Sequence, residues 1–175
     1  MLLDAYEPRD ERELRDVRRL TAALDTVDVW SRTSPLHVTG SALILHPPSD
    51  RVLLRWHTRM QRWMQVGGHC DPGETDPWLV ARREAEEETG LPDLAPQPRA
   101  GTLPVQIVIV PVPEARNEPA HEHADIRFLL VTDRPDDACP ETSDAPLRWL
   151  TIAEALDEVE EENLRDFLHR ARGHV

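Results

Sequence analysis

Residues 67 to 91 read Gly-Gly-His-Cys-Asp-Pro-Gly-Glu-Thr-Asp-Pro-Trp-Leu-Val-Ala-Arg-Arg-Glu-Ala-Glu-Glu-Glu-Thr-Gly-Leu, a glycine-rich loop running into a helix whose end is loaded with carboxylates. Glu84, Glu87 and Glu88 stand at i, i+3 and i+4, which gathers their side chains on one helix face. Like charges so placed repel one another, and a solvated helix would intersperse cations. The arrangement points to a hard divalent cation with oxygen ligands, Mg²⁺ or Mn²⁺, of the kind that shares its coordination between carboxylates and substrate phosphates. Upstream, Gly67, Gly68 and Gly73 permit sharp bends and close backbone approach. Glu86 lies about 100° off the carboxylate face and reads as a solvated residue.

The helix has legible ends. Asp76 is a favoured N-cap and Pro77 a favoured first helical residue, while Gly90 followed by Pro92 stops the helix. A helix from Pro77 therefore follows a loop that contains Glu74.

Gly68, Glu74 and the run Arg83-Glu84-Ala85-Glu86-Glu87-Glu88-Thr89-Gly90-Leu91 closely resemble the Nudix box of pyrophosphohydrolases that act on a nucleoside diphosphate linked to another group. One departure is visible: Thr75 to Arg82 places eight residues between Glu74 and Arg83, where the box has seven. Inside the helix an extra residue would rotate Glu74 by about 100° relative to the carboxylates. Placed before Pro77 it costs nothing. The resemblance implies an α/β fold, the Nudix-type α/β/α sandwich with a mixed sheet. It implies Mg²⁺ or Mn²⁺ held by Glu84, Glu87, Glu88 and the Gly68 carbonyl, with Arg83 orienting the carboxylates and Glu74 supporting the loop. The activity implied is hydrolysis of a phosphoanhydride bond, a pyrophosphatase-type reaction. A catalytically silent Nudix-like domain that binds a nucleotide is the competing class, but three intact, mutually repelling glutamates favour the enzyme. Isomerase chemistry on isopentenyl diphosphate, known on the same fold, lacks a visible cysteine context here.

The remaining sequence sets consistent limits. A chain of 175 residues suits one domain with a sizeable core, and we divide it into an N-terminal helical extension (1–35) and the Nudix hydrolase domain (36–175). With 20 basic against 33 acidic residues the net charge is −13, which argues against nucleic acid or an anionic membrane as partner. A small nucleoside diphosphate derivative is the expected partner, bound through metal and local arginines. Cys70 and Cys139 form no metal or disulfide pattern, and with neither a signal peptide nor a long apolar run the expected compartment is cytoplasmic. Cys70 reads as a small residue tolerated in the glycine loop rather than a nucleophile.

Leu14, Val17, Leu20 and Leu24 make residues 10–26 an amphipathic helix that covers the core or meets a second copy of the chain in a homodimer. Residues 37–45, 51–56, 106–112, 125–132 and 147–150 read as strands, and 152–172 as one closing helix. The run His121-Glu122-His123-Ala124-Asp125-Ile126-Arg127-Phe128 would put His121, His123, Asp125 and Arg127 on one strand face. Nudix proteins commonly draw a further carboxylate from this region as ligand or general base. Glu122, Asp125 and Glu118 are the candidates, with Glu122 preferred as the residue at a flexible loop end. The plain alternative is an Asp125–Arg127 or histidine–carboxylate pairing. Zinc held by His69, His121 and His123 is conceivable, though two histidines at i, i+2 carry little weight alone. Trp56 and Trp63 are candidates for stacking on a base, and Arg59 and Arg62 for meeting a distal phosphate.

Overall fold

The computed structural model describes residues 5–115 and 118–174, and its centre is β1 (Leu36–His46), whose interior residues are all buried. One edge of β1 pairs in parallel with β7 (His121–Val131), from Leu36 opposite Glu122 to Leu45 opposite Val131. Its other edge is shared between two antiparallel strands: β4 (Val66–His69) along Thr39–Ala42 and β2 (Arg51–His57) along Ile44–His46. The short β3 (Arg62–Met64) and β8 (Leu147–Thr151) extend the sheet from β2, while β5 (Ala95–Pro96) and β6 (Gln106–Val112) extend it from β7. The result is a mixed sheet of eight strands.

Period-two alternation decides what lies on each side. Val38, Ala42 and Ile44 of β1, with Ile126 and Phe128 of β7, join one core cluster under α2 (Pro77–Thr89), completed at its margin by α1 (Glu11–Leu24). Leu43, Leu45 and Leu129 face the other way, against Phe167 and Leu168 of α4 (Glu162–Ala171) and Ile152 of α3 (Ile152–Glu158). Helices thus cover both faces, as in the expected α/β/α sandwich. Gly40 permits close contact between strand and helix, since a methyl group there would lie 2.6 Å from the Pro77 carbonyl oxygen and 2.8 Å from the Ala81 nitrogen.

The N-terminal helix forms where its periodicity predicts, capped by Asp10, whose side chain accepts from the Glu13 amide at 2.8 Å. It lies along the free edge of β6: Asp16 accepts from the Ile109 amide at 3.0 Å and Glu13 from the Ile107 amide at 3.4 Å, so edge N–H groups are answered by carboxylates. Glu13 is itself buried and paired with Arg170 of α4 at 2.8 Å.

The closing segment corrects one expectation. Residues 152–172 form two helices, because the backbone is extended at Val159 and Glu161. Arg165 fastens the break by donating to the carbonyls of Leu156 and Val159, satisfying groups that the interrupted helix leaves open. Among the described residues no helix is long and apolar enough to cross a membrane.

Candidate active site

The helix of the motif runs from Pro77 to Thr89, with Asp76 as N-cap accepting from the Trp78 amide at 3.0 Å and Gly90 as C-cap at φ 65°. The helix begins at Pro77, so only Thr75 and Asp76 of the eight residues precede it, after a turn closed by the Glu74 amide on the Asp71 carbonyl at 2.9 Å. The stretch expected as loop begins instead as a strand: Gly67 and Gly68 lie in β4, opposite Ser41 and Gly40.

Arg83 organises the cluster. Its guanidinium donates to both oxygens of Glu74, at 3.1 and 2.9 Å, and to the His69 carbonyl at 2.9 Å. Its Nη1 reaches Glu84 at 2.9 Å and Glu87 at 3.1 Å. Glu88 accepts from the Gly67 amide at 3.0 Å and pairs with Arg55 of β2 at 3.1 Å. Glu84 is pressed on the backbone of β4 so closely that a methyl group at Gly68 would fall within 2.6 Å of its carboxylate. Gly68, Glu74, Arg83, Glu84, Glu87 and Glu88 are therefore brought together, and Glu86 turns away to Arg82 at 2.8 Å.

Burial lifts the carboxyl of Glu84 above the usual carboxylate range, Arg83 opposing, and pushes Glu88 up to about 7, with Arg55 and the Gly67 amide opposing. Glu74 is held low by its hydrogen bonds from Arg83. The fork of one arginine spread over three carboxylates leaves an excess of partly buried negative charge, and that excess suits a divalent cation. Beside it opens a cleft of about 760 Å³ whose walls include Trp30, Arg32, Gly68, His69, Glu74 and Glu84.

Trp30 and Arg32 escaped the sequence reading, because the segment between α1 and β1 carries no periodic signal. Arg55 was equally silent, an arginine in an otherwise ordinary strand. Trp56 and Trp63 pack edge-to-face at 5.5 Å on the far side of the sheet and do not line this cleft. Arg62 pairs with Glu161, and Arg59 with Glu118 at 2.7 Å.

Glu122, expected at a flexible loop end, lies instead within β7. Pairing with Leu36 of β1 and Pro111 of β6 carries β7 back to His121, so Glu122 is fixed in a strand and bonds Arg19 of α1 at 2.7 Å. Asp125 and Arg127 form the pairing foreseen for the polar face, buried, at 2.6 Å. Asp125 also accepts from Thr39 at 3.0 Å and Ser41 at 2.7 Å, and Arg127 donates to Gln106 at 2.8 Å and the Asn163 side chain at 2.7 Å. Cys70 is buried, which pushes its thiol up to about 11 and leaves it inert as a nucleophile. At the head of the same face, burial and the neighbouring imidazoles lower His69 to about 4 and His123 to about 3.

Comparison with known proteins bears on this geometry. The sequence model of the NUDIX domain matches residues 35–171. A protein of Lactococcus lactis subsp. cremoris named probable DHNTP pyrophosphohydrolase is 28% identical over 123 residues, covering 70% of this chain and 69% of that one. The E. coli dihydroneopterin triphosphate pyrophosphohydrolase structure shares the fold at TM-score 0.60 and 18% identity, over 81% of this chain and 97% of that one. A C. elegans Ap4A hydrolase binary complex gives TM-score 0.61 at 19% identity, over 78% and 95%. With its family model spanning β1 to α4 and the motif's glutamates gathered around Arg83, the chain belongs to the NUDIX domain family and is a Nudix hydrolase.

Proposed function

We propose that this hydrolase cleaves a phosphoanhydride bond in a nucleoside diphosphate linked to another group, in a reaction dependent on Mg²⁺ or Mn²⁺. The observation that carries the reading is the fan of hydrogen bonds from Arg83 to Glu74, Glu84 and Glu87, which sets acidic groups around Gly68 at the wall of the cleft. Glu84, Glu87, Glu88 and the Gly68 carbonyl are the residues that would hold the cation. Bound there, a divalent cation lowers the pKa of an attacking water and offsets charge on phosphate oxygens.

The chain's own contribution is positioning. Glu74 holds Arg83 by two hydrogen bonds, and Arg83 in turn fixes the directions of Glu84 and Glu87. Arg55 and the Gly67 amide hold Glu88. A carboxylate of this group takes the proton of the attacking water. Arg32 supplies positive charge on the wall of the same cleft, for substrate phosphates.

The name of the L. lactis relative puts dihydroneopterin triphosphate in a first panel with dinucleoside polyphosphates, nucleotide sugars, ADP-ribose and oxidised nucleoside triphosphates. A malachite-green assay of that panel with Mg²⁺ and Mn²⁺, with and without added phosphatase, should show hydrolysis of at least one class. If all stay intact while calorimetry shows one bound tightly, the chain is a binding domain and the reading fails.

A further inference from the structure

The carboxylate chemistry makes no use of a knot of four histidines on the other face of the sheet. His37 of β1, His69 of β4, and His121 and His123 of β7 come from three adjacent strands, and His37 pairs directly with His123 in the ladder. The ring centroid of His37 lies 5.1, 5.2 and 4.8 Å from those of His69, His121 and His123. The Nε2 of His123 stands 3.3 Å from that of His69 and 3.1 Å from that of His121.

The hydrogen bonding of this knot does not close by itself. His37 is 1% exposed, and its Nδ1 meets the Ser34 carbonyl at 2.8 Å, so Nδ1 carries the proton and Nε2 presents a lone pair. That Nε2 is buried and has no hydrogen-bond partner among the described residues. His121 repeats the carbonyl contact, with Nδ1 on Pro119 at 2.8 Å, while its Nε2 faces His123 at 3.1 Å and the Glu118 carboxylate at 3.9 Å. His123 faces two ring nitrogens with one of its own, and a single N–H serves only one of them. A buried acceptor left without a donor loses its hydration with nothing in return. Several imidazole lone pairs directed into one small space are what a cation satisfies.

We propose that His37, His69 and His123, with His121 beside them, form a second metal site, selective for a borderline cation of the zinc class and distinct from the carboxylate site. Ligand nitrogens of these three histidines all lie within 4.8 Å of one another. In a tetrahedral site with Zn–N of about 2.0–2.1 Å, ligand nitrogens stand about 3.3 Å apart, the spacing already found between His69 and His123. Metal-bound histidines are oriented by a carbonyl on the other ring nitrogen, and Ser34 and Pro119 occupy those places. An all-imidazole set suits Zn²⁺ and is foreign to Mg²⁺, so the two sites divide the metals between them. Access exists from both sides: His69 lines the 760 Å³ cleft and His121 a neighbouring one of about 640 Å³, with Arg32 on the wall of each. The bound ion would pin β4, which carries Gly67 and Gly68, to β1 and β7, bracing the strand against which Glu84 and Glu88 are set.

The test uses the full chain without a histidine tag, stripped with EDTA. Zn²⁺ titrated against a chromogenic chelator should bind at one equivalent per chain, resist excess Mg²⁺, and survive the triple substitution Glu84→Gln, Glu87→Gln, Glu88→Gln. His123→Ala and the milder His37→Asn should each weaken it by about 10-fold or more. Co²⁺ in the unaltered chain should give the visible bands of a tetrahedral site, and ¹⁵N-histidine spectra should show Zn²⁺ shifting the Nε2 resonances, which keeps the test independent of how the variants fold. Zinc binding that vanishes with the glutamates, that ignores both histidine substitutions, or that leaves the Nε2 resonances unmoved would overturn the proposal.

Discussion

Arg83 grips Glu74 through two hydrogen bonds, from Nε at 3.1 Å and Nη2 at 2.9 Å, although eight residues separate them. The grip holds with the extra residue in place: Asp76 caps the helix, only Thr75 and Asp76 of the eight residues precede Pro77, and Arg83, Glu84, Glu87 and Glu88 follow on one helix. The cap thus fixes where the helix starts after Glu74. Replacing Asp76 by Ala removes the acceptor for the Trp78 amide and should cost about 1 kcal/mol, read by denaturant melts. Metal affinity should be retained. A loss of metal binding larger than the loss of stability would show that the cap also sets the Glu74 turn.

Replacing Glu87 or Glu88 by Gln should lower kcat by orders of magnitude with the fold intact, since each substitution removes an ionic ligand at nearly constant volume. Without metal the Glu88→Gln chain should melt no lower than the parent, because burial of this carboxyl outweighs its pairing with Arg55 and the Gly67 amide, and Arg55 keeps Glu141 as a second partner. Added Mg²⁺ should raise the melting temperature of the parent and have little effect on either variant. Near-parental hydrolysis by both at saturating Mg²⁺ would remove the proposed carboxylate site.

The two glycines that touch α2 should behave differently. At Gly40 a methyl group meets the backbone of Pro77 and Ala81, which cannot step aside, so Gly40→Ala should separate strand and helix and cost about 1–3 kcal/mol. At Gly68 the three nearest atoms all belong to the flexible end of Glu84. Gly68→Ala should therefore melt close to the parent and yet lose activity, because the ligand is displaced. Equal losses of stability in the two variants would mean that Glu84 is not free to yield.

The contrast shows which parts were legible in the sequence. The motif helix, its caps and the main strands were, because hydrophobic period, Asp-Pro and Gly-x-Pro are local signals that packing did not override. The break at Val159 was not: the apolar residues of 152–172 keep helical spacing, and only tertiary bonds from Arg165 reveal that the chain changes direction. Trp30, Arg32 and Arg55 were missed for a related reason. Each reaches the site from an element with no chemical pattern of its own, and only the parallel pairing of β1 with β7 shows that His37 joins His69 and His123.

Carboxylates outside the motif provide the last contrast. Asp125 and Arg127 are nearly inaccessible, with side chains 6% and 2% exposed, and Arg127 has Asp125 as its ion-pair partner. Asp125→Asn leaves a buried guanidinium without a countercharge and should destabilise the fold by about 3–5 kcal/mol, while the molecules that remain folded keep their turnover. Glu122 and Arg19 form a pair 34% and 51% exposed, so Glu122→Gln should cost under about 1 kcal/mol. Because its partner lies on α1 and its backbone is held between β1 and β6, Glu122→Gln should also keep kcat and its dependence on Mg²⁺. Thermal melts paired with active-site-normalised kinetics separate the two residues. If instead Glu122→Gln melts like the parent and loses kcat with KM unchanged, Glu122 is the base after all, and the proton of the attacking water leaves toward α1.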